Sequence, residues 1–195
     1  MNSLYPKTSI ALEFSGLMHD IRYHRELVNV FYPLEVYYQK LITEFNLNEE
    51  AVKIAVSRTD RNMRKSFVTL TLFSLETILK HIAKYHEISF QNNNTISLYV
   101  SVMKYFDIYS KNNENLVKIL HYTRNTLHNG DRVDKEAHLS YNEKTFDFIP
   151  NPDLTQKDRK QLDSTKWDYL TYLFQQLLEV FQQIIISPKY TLKSN

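Results

Sequence analysis

Apolar residues in this chain recur mostly at intervals of three and four, the spacing of one face of an α-helix. Ile10, Phe14, Leu17, Ile21 and Val28 mark a first helical stretch within residues 8–45. Thr8 or Ser9 can cap it, and Glu13 suits its first turns. Pro33 ends or kinks it, and a second helix follows from Leu34 to Phe45. Asn46-Leu47-Asn48 reads as a turn, with Asn48 as the N-cap before Glu49 and Glu50. Helical periodicity then continues to about His86, which is long for one helix. Its second half carries the stripe Val68, Leu72, Leu75, Leu79 and Ile82, a core face. After a loop at Gln91–Asn94, Thr95 caps a shorter helix to Tyr109, with Ile96, Val100, Met103 and Phe106 facing inward. Lys111-Asn112-Asn113 reads as a break, followed by a helix from Glu114 to Asn129 with Leu116, Ile119, Leu120 and Leu127 on its apolar side.

Beyond residue 131 the period changes. Ala137–Tyr141 and Thr145–Ile149 show partial alternation around Asn142-Glu143-Lys144, which predicts a β-hairpin at about 136–150, ended by Pro150 and Pro152. Asp163 or Ser164 then caps a last helix, Thr165 to Ile186, with Trp167, Leu170, Phe174, Leu177, Val180 or Phe181, and Ile184 on a broad apolar face. Pro188 stops that helix and the final residues fray. The chain therefore reads as one all-α domain over residues 1–195, a bundle of five to six helices with a small β-hairpin inserted after the helix Glu114–Asn129.

Composition narrows the class of function. A chain of 195 residues, 43% hydrophobic and 24% charged, has the makings of an ordinary globular core. Only two glycines and five prolines fit long helices with few tight turns. With no cysteine there is neither disulfide nor thiolate metal site, which fits a reducing cytosol. The N-terminus lacks an apolar signal-peptide core, and no run approaches a membrane span, so a cytoplasmic protein is expected. A net charge of +2 gives no bulk attraction to nucleic acid, so any such site must be a local patch. One candidate is the basic first half of the long helix, Lys53, Arg58, Arg61, Arg64 and Lys65 against Asp60. There Arg58, Arg61 and Lys65 form a single stripe that phosphates can neutralise or water can solvate. His19, Arg22, His24 and Arg25 make a second cluster, either a solvated face or a surface for RNA or a partner. His81 and His86 are five apart, a poor spacing for a shared metal, and no other constellation has ligand spacing. Neither metal nor cofactor is expected.

The densest chemistry lies in His121-Tyr122-Thr123-Arg124-Asn125-Thr126-Leu127-His128-Asn129-Gly130-Asp131. Gly130 stands where a helix would end in a left-handed residue. Arg124 and His128 are four apart on the polar side, and His121 extends the same stripe. Arginine grips phosphate oxygens in a planar fork, and histidine moves protons near neutral pH. The bland alternative is a surface arginine beside a histidine of the helix end, with His121 as packing.

The run Arg124-Asn125-Thr126-Leu127-His128-Asn129-Gly130 resembles the Arg-polar-x-x-x-His signature of HEPN-like helical domains, where asparagine often follows the arginine. The helix Phe67–Leu79, with Glu76 as its single acidic residue, resembles the long helix of the same superfamily. The likeness spans about residues 50–187. It implies a helical homodimer whose paired motifs form one RNA-cleaving site without a metal. Arg124 and His128 would be catalytic, with Asn125 orienting the arginine or the phosphate. Glu76 would be either the acidic partner of the Arg124/His128 pair or an i,i+4 ion pair with Lys80. The implied setting is that of a toxin or phage-defence effector, accompanied by an antitoxin or a neighbouring protein. Fewer residues separate Arg124 from His128 than is usual in that family. An inactive HEPN-like dimer that binds nucleic acid or protein therefore stands as the alternative, with a helical scaffold unrelated to RNA behind it.

Overall fold

The computed structural model describes residues 12, 13, 15–17, 19, 20, 34–91, 94–151, 153–155 and 162–190. The capping residues Thr8 and Ser9, the kink at Pro33 and the basic residues Arg22, His24 and Arg25 lie outside them, as do Ile10, Phe14, Ile21 and Val28. Leu17 is buried in the core, and His19 is exposed with Asp20 3.8 Å away.

The architecture is an all-α bundle with one antiparallel hairpin. Residues 12, 13, 15–17, 19 and 20 are helical, and the helices whose ends are described are α1 (Leu34–Thr43), α2 (Glu49–Tyr85), α3 (Thr95–Tyr105), α4 (Lys111–His128) and α5 (Trp167–Ile186). Strands β1 (Ala137–Tyr141) and β2 (Lys144–Phe148) stand between α4 and α5, and a short 3₁₀ turn, Asp163–Thr165, precedes α5. Helix α2 has 37 residues, so it is roughly 55 Å long. Asn48 caps it by accepting the Ala51 amide at 2.8 Å. The stripe Val68, Leu72, Leu75, Leu79 and Ile82 is buried as its spacing requires, against α3, α4 and α5. Each such side chain contributes roughly 1.5–3 kcal/mol by leaving water. On α3 the deepest residues are Leu98, Tyr99, Val102 and Met103, while Ile96 and Val100 are only partly covered.

Several boundaries differ from the sequence pattern, and α5 begins only at Trp167, after the 3₁₀ turn and without a side-chain cap. Helix α3 is capped by Asn94, whose side chain accepts the Ser97 amide at 3.2 Å, and stops at Tyr105. Helix α4 starts at Lys111 because Ser110 takes the Asn113 amide at 3.0 Å, turning the presumed break into the first turn. Asn113 then secures the preceding loop by donating to the Ile108 carbonyl at 2.9 Å. At the C-terminal end residues 188–190 do not fray. Lys189 Nζ reaches Asp107 at 2.6 Å and the Tyr105 carbonyl at 2.9 Å, and the Tyr190 ring lies 5.0 Å from that of His86.

Arg64 is not part of a basic surface. It is buried, donating from Nε to Asp60 at 2.9 Å and from Nη1 to the Thr165 carbonyl at 2.9 Å. The other Asp60 oxygen accepts Trp167 Nε1–H at 2.9 Å. This clamp fastens the middle of α2 to the start of α5, where Phe67 packs on Trp167 and Phe174.

The hairpin pairs Ala137 with Phe148 and Tyr141 with Lys144. Its two-residue turn, Asn142-Glu143, has φ of 45° and 64°. Both values belong to a type I′ turn, whose second position favours glycine. Glu143 is exposed. Glu143→Gly is expected to raise stability by ~0.5–1 kcal/mol, because left-handed strain is relieved by slightly more than the denatured chain gains in freedom. A urea denaturation midpoint that falls instead would show the strain to be absent.

Candidate active site

Helix α4 presents its polar side to one edge of α2. Lys65, Thr69 and Glu76 fall on that edge because they are four and seven residues apart in succession. The two helices run antiparallel here: Thr69 meets His128, and Glu76 lies within the field of Arg124. A Schellman end fixes the motif's last residues. The Asp131 amide donates to the Thr126 carbonyl at 2.9 Å, the Gly130 amide to Leu127 at 3.4 Å, and Gly130 has φ of 66°. Arg61 on α2 holds Asp131 from outside at 3.5 Å.

His128 is therefore the last helical residue, exposed at the mouth of a pocket. Its Nε2 lies 2.7 Å from Thr69 Oγ1, and that hydroxyl donates its hydrogen to the Lys65 carbonyl at 2.8 Å. One hydroxyl has one hydrogen, so Oγ1 accepts from His128 Nε2–H. The Nδ1 lone pair is left for a proton from outside. Partial burial, then the charges of Lys65 and Arg124, hold the His128 pKa below its usual value. The ring is thus neutral at pH 7 and fit to act as a base.

Arg124 is half-buried beside Glu76. Burial raises the Glu76 pKa, and the charges of Lys80 and Arg124 work against that rise. Among the described residues Glu76 makes no ion pair within 4 Å with either cation, so the i,i+4 pair with Lys80 is not closed and both cations act on it only at longer range. His121 lies one turn before Arg124, buried edge-on against the Tyr99 ring at 5.6 Å. Among the described residues its Nε2 and the Tyr99 hydroxyl have no hydrogen-bond partner. Burial, reinforced by Arg124, lowers the His121 pKa to about 4.

The pocket beside His128 has a volume of about 420 Å³. His121, Asn125, His128 and Asn129 line it from α4 and its cap, and Arg132 and Lys135 from the segment that leads to the hairpin. The hairpin strands do not line it. Arg124 is also outside the lining. Arg58 is exposed on α2, Arg61 is engaged with Asp131, and Lys65 is near enough to His128 to depress its pKa. The expected stripe is thus divided: Arg61 grips the end of the motif at Asp131, Lys65 bears on His128, and Arg58 stands apart on the exposed helix. Among the described residues no three His, Asp or Glu side chains gather as metal ligands, and no helix is long and apolar enough to cross a membrane.

Thr69, Arg132 and Lys135 were not legible as site residues. Thr69 had one available signal, its place seven residues before Glu76 on the same edge. The two cations follow the motif in a loop, where no periodicity marks them. Compared with family models, with curated proteins and with solved structures, the chain shows no significant match.

Proposed function

We propose that the chain is a HEPN-like, metal-independent endoribonuclease. The observation that carries this reading is the hydrogen-bond relay from His128 through Thr69 to the Lys65 carbonyl, which orients the ring and leaves Nδ1 as a base. His128 takes the proton of a ribose 2′-OH, which attacks the adjacent phosphate. Arg124 stabilises the charge that builds on the non-bridging oxygens, and Asn125, exposed one residue on, steers the phosphate. The P–O5′ bond breaks, the 5′ oxygen leaves with a proton taken from water, and a 2′,3′-cyclic phosphate remains. Lys65 and the outer cations draw the RNA backbone in. In the resemblance such a domain serves as a toxin or phage-defence effector under an antitoxin or neighbouring protein, and we carry that setting over as part of the proposal.

A second copy completes the site. Leu70 and Phe73 are 63% and 68% exposed on α2, flanking Thr69 and Glu76. An apolar pair in that position, next to the motif, suits a symmetric partner that brings two Arg124/His128 pairs together. Phe73→Asp is expected to convert a dimer to a monomer in sedimentation; a wild type that is already monomeric at micromolar concentration removes the partner.

The position of Arg124, outside the pocket lining and beside Glu76, favours a second reading: an inactive HEPN-like dimer that binds nucleic acid or protein. RNA cleavage in EDTA separates the two, with wild type beside His128→Ala and Arg124→Ala and the 3′ ends of the products identified. Cyclic phosphate lost in both variants supports the nuclease. RNA that is bound yet intact supports the module. Cleavage that survives both substitutions means the site is elsewhere.

A further inference from the structure

We infer that Arg61, by holding Asp131, is a positioning residue for the His128 ring. Its effect on rate rests on the ribonuclease reading of the same site; its effect on the ring does not. His128 is the last residue of α4. Helix ends fray, because their last carbonyls lack intrahelical partners. A base placed there needs an anchor beyond the helix itself, since a misplacement of about 1 Å costs ~10² in rate.

Two other helix ends in this fold show how such a turn is closed without that demand. Beyond α2 the left-handed residue is Glu87, and Ile88 donates to the Ala83 carbonyl at 2.8 Å. Beyond α3 it is Asp107, and Ile108 donates to Met103 at 2.9 Å. Neither isoleucine is left-handed, and both pack on the core. An apolar contact of this kind is the usual seal of a Schellman end. The motif helix ends with the same bonds, Asp131 donating to Thr126 at 2.9 Å, but an aspartate stands where the isoleucines stand. Asp131 is itself left-handed, with φ of 65° directly after Gly130 at 66°. A residue with a side chain is strained there and stays only where its surroundings fix it.

Those surroundings are polar. Asn151 Nδ2 donates to the Asp131 carbonyl at 3.2 Å. Arg61 Nη1 lies 3.5 Å from Asp131 Oδ2, with the two side chains only 20% and 17% exposed. The other carboxylate oxygen is buried and, among the described residues, has no hydrogen-bond partner. A carboxylate so enclosed relies on the guanidinium beside it. Arg61 comes four residues before Lys65 and eight before Thr69, on one edge of α2. That edge grips the end of α4 twice, at His128 through Thr69 at 2.7 Å and at Asp131 through Arg61. The Thr69 bond is exposed, so the ionic grip is what keeps the ring within its reach.

The test compares wild type with Arg61→Met, Arg61→Lys and Asp131→Asn. Methionine keeps much of the apolar stem, lysine keeps the cation, and asparagine tolerates a left-handed backbone. Three-bond couplings measured by NMR report the His128 χ1 rotamer, and RNA cleavage in EDTA gives kcat and KM. Wild type and Arg61→Lys are expected to hold one rotamer, and Arg61→Met and Asp131→Asn to average several. In those two variants kcat should fall about tenfold with KM unchanged. A KM that rises in Arg61→Met at constant kcat would make Arg61 a phosphate contact and overturn the proposal. So would a single His128 rotamer in both Arg61→Met and Asp131→Asn. Averaged couplings in these variants of a protein that leaves RNA intact would end the nuclease reading and keep the latch. Cleavage lost in His128→Ala but untouched in Arg61→Met and Asp131→Asn would do the reverse.

Discussion

His128→Ala is expected to slow metal-independent RNA cleavage by ~10²–10⁴, the usual worth of a positioned general base. The side chain is exposed and its hydrogen bond to Thr69 is a surface bond, so the fold should persist. Arg124→Ala should cost on the order of 10²–10³, because it removes the cation nearest the developing charge. A pH profile tells this role from a structural one. A base works only when neutral, so kcat/KM should rise with pH through the His128 pKa and level off above it. That pKa lies below the usual histidine value because of burial, Lys65 and Arg124, in that order. Lys65→Gln removes one of the depressing charges, so the acidic limb should move to higher pH. Arg58→Gln, on an exposed part of the same helix, should leave it in place. A limb that ignores Lys65, or activity that persists in His128→Ala, would sink the assignment.

The second large effect is on stability. His121 has a folded-state pKa of about 4 against an ordinary value of 6.5. Below pH 6.5 the unfolded chain takes up a proton at this residue that the folded chain refuses. Stability therefore falls as the pH drops from 6.5 towards 4, by on the order of 3 kcal/mol in all, and this contribution is flat below 4. Arg124 opposes the proton by its charge, Tyr99 offers only a neutral ring and hydroxyl, and Glu76 is half-buried nearby. Glu114 acts in another window. Its pKa is lowered to about 2, first by Lys118, then by Tyr109, so its contribution is lost only below the usual carboxylate range. Urea unfolding of wild type and His121→Leu at several pH values isolates the histidine. The variant should lose less stability between pH 6.5 and 4, and should be at least as stable at pH 7, since leucine leaves no unpaired nitrogen. Parallel pH dependences in the two proteins would mean that His121 protonates freely.

Much of this arrangement is written in local pattern. The core stripe of α2 follows from five residues at helical spacing, the hairpin from a change of period, and the end of α4 from Gly130. The pairing of Arg124 with His128 on one side of α4 is equally local. What could not be read depends on residues far apart in the chain. Arg64 looked like one more surface cation. Its burial depends on Asp60 and on Trp167, 107 positions beyond Asp60. Thr69 sits in an apolar run and acquires meaning only when His128, 59 residues later, reaches its hydroxyl. Tyr99 was one tyrosine of 14, and no periodicity announces that its hydroxyl will be buried without a partner. The start of α4 failed for a different reason: paired asparagines suggest a break, but the serine before them decides where the helix begins. Lys189 and Tyr190 follow a proline, and contacts with residues far back in the chain, Tyr105, Asp107 and His86 among them, hold them in place.

Left-handed backbone in this protein is carried mostly by residues with side chains. Asn46, Glu87, Asp107, Asp131, Asn142 and Glu143 all have positive φ, and Gly130 joins them. At Glu87 and Asp107 the helix ends have the same hydrogen-bond pattern as at Gly130, with Ile88 donating to Ala83 at 2.8 Å and Ile108 to Met103 at 2.9 Å. Each such residue stores local strain in the folded state. Each also stiffens the disordered chain, because a side chain forbids most of the conformations a glycine would sample. Fewer conformations are therefore surrendered when the chain collapses, and the long helices begin from a narrower search. Wholesale glycine substitution at these bends would ease every turn and widen that search at the same time, so its gains should diminish with each added site.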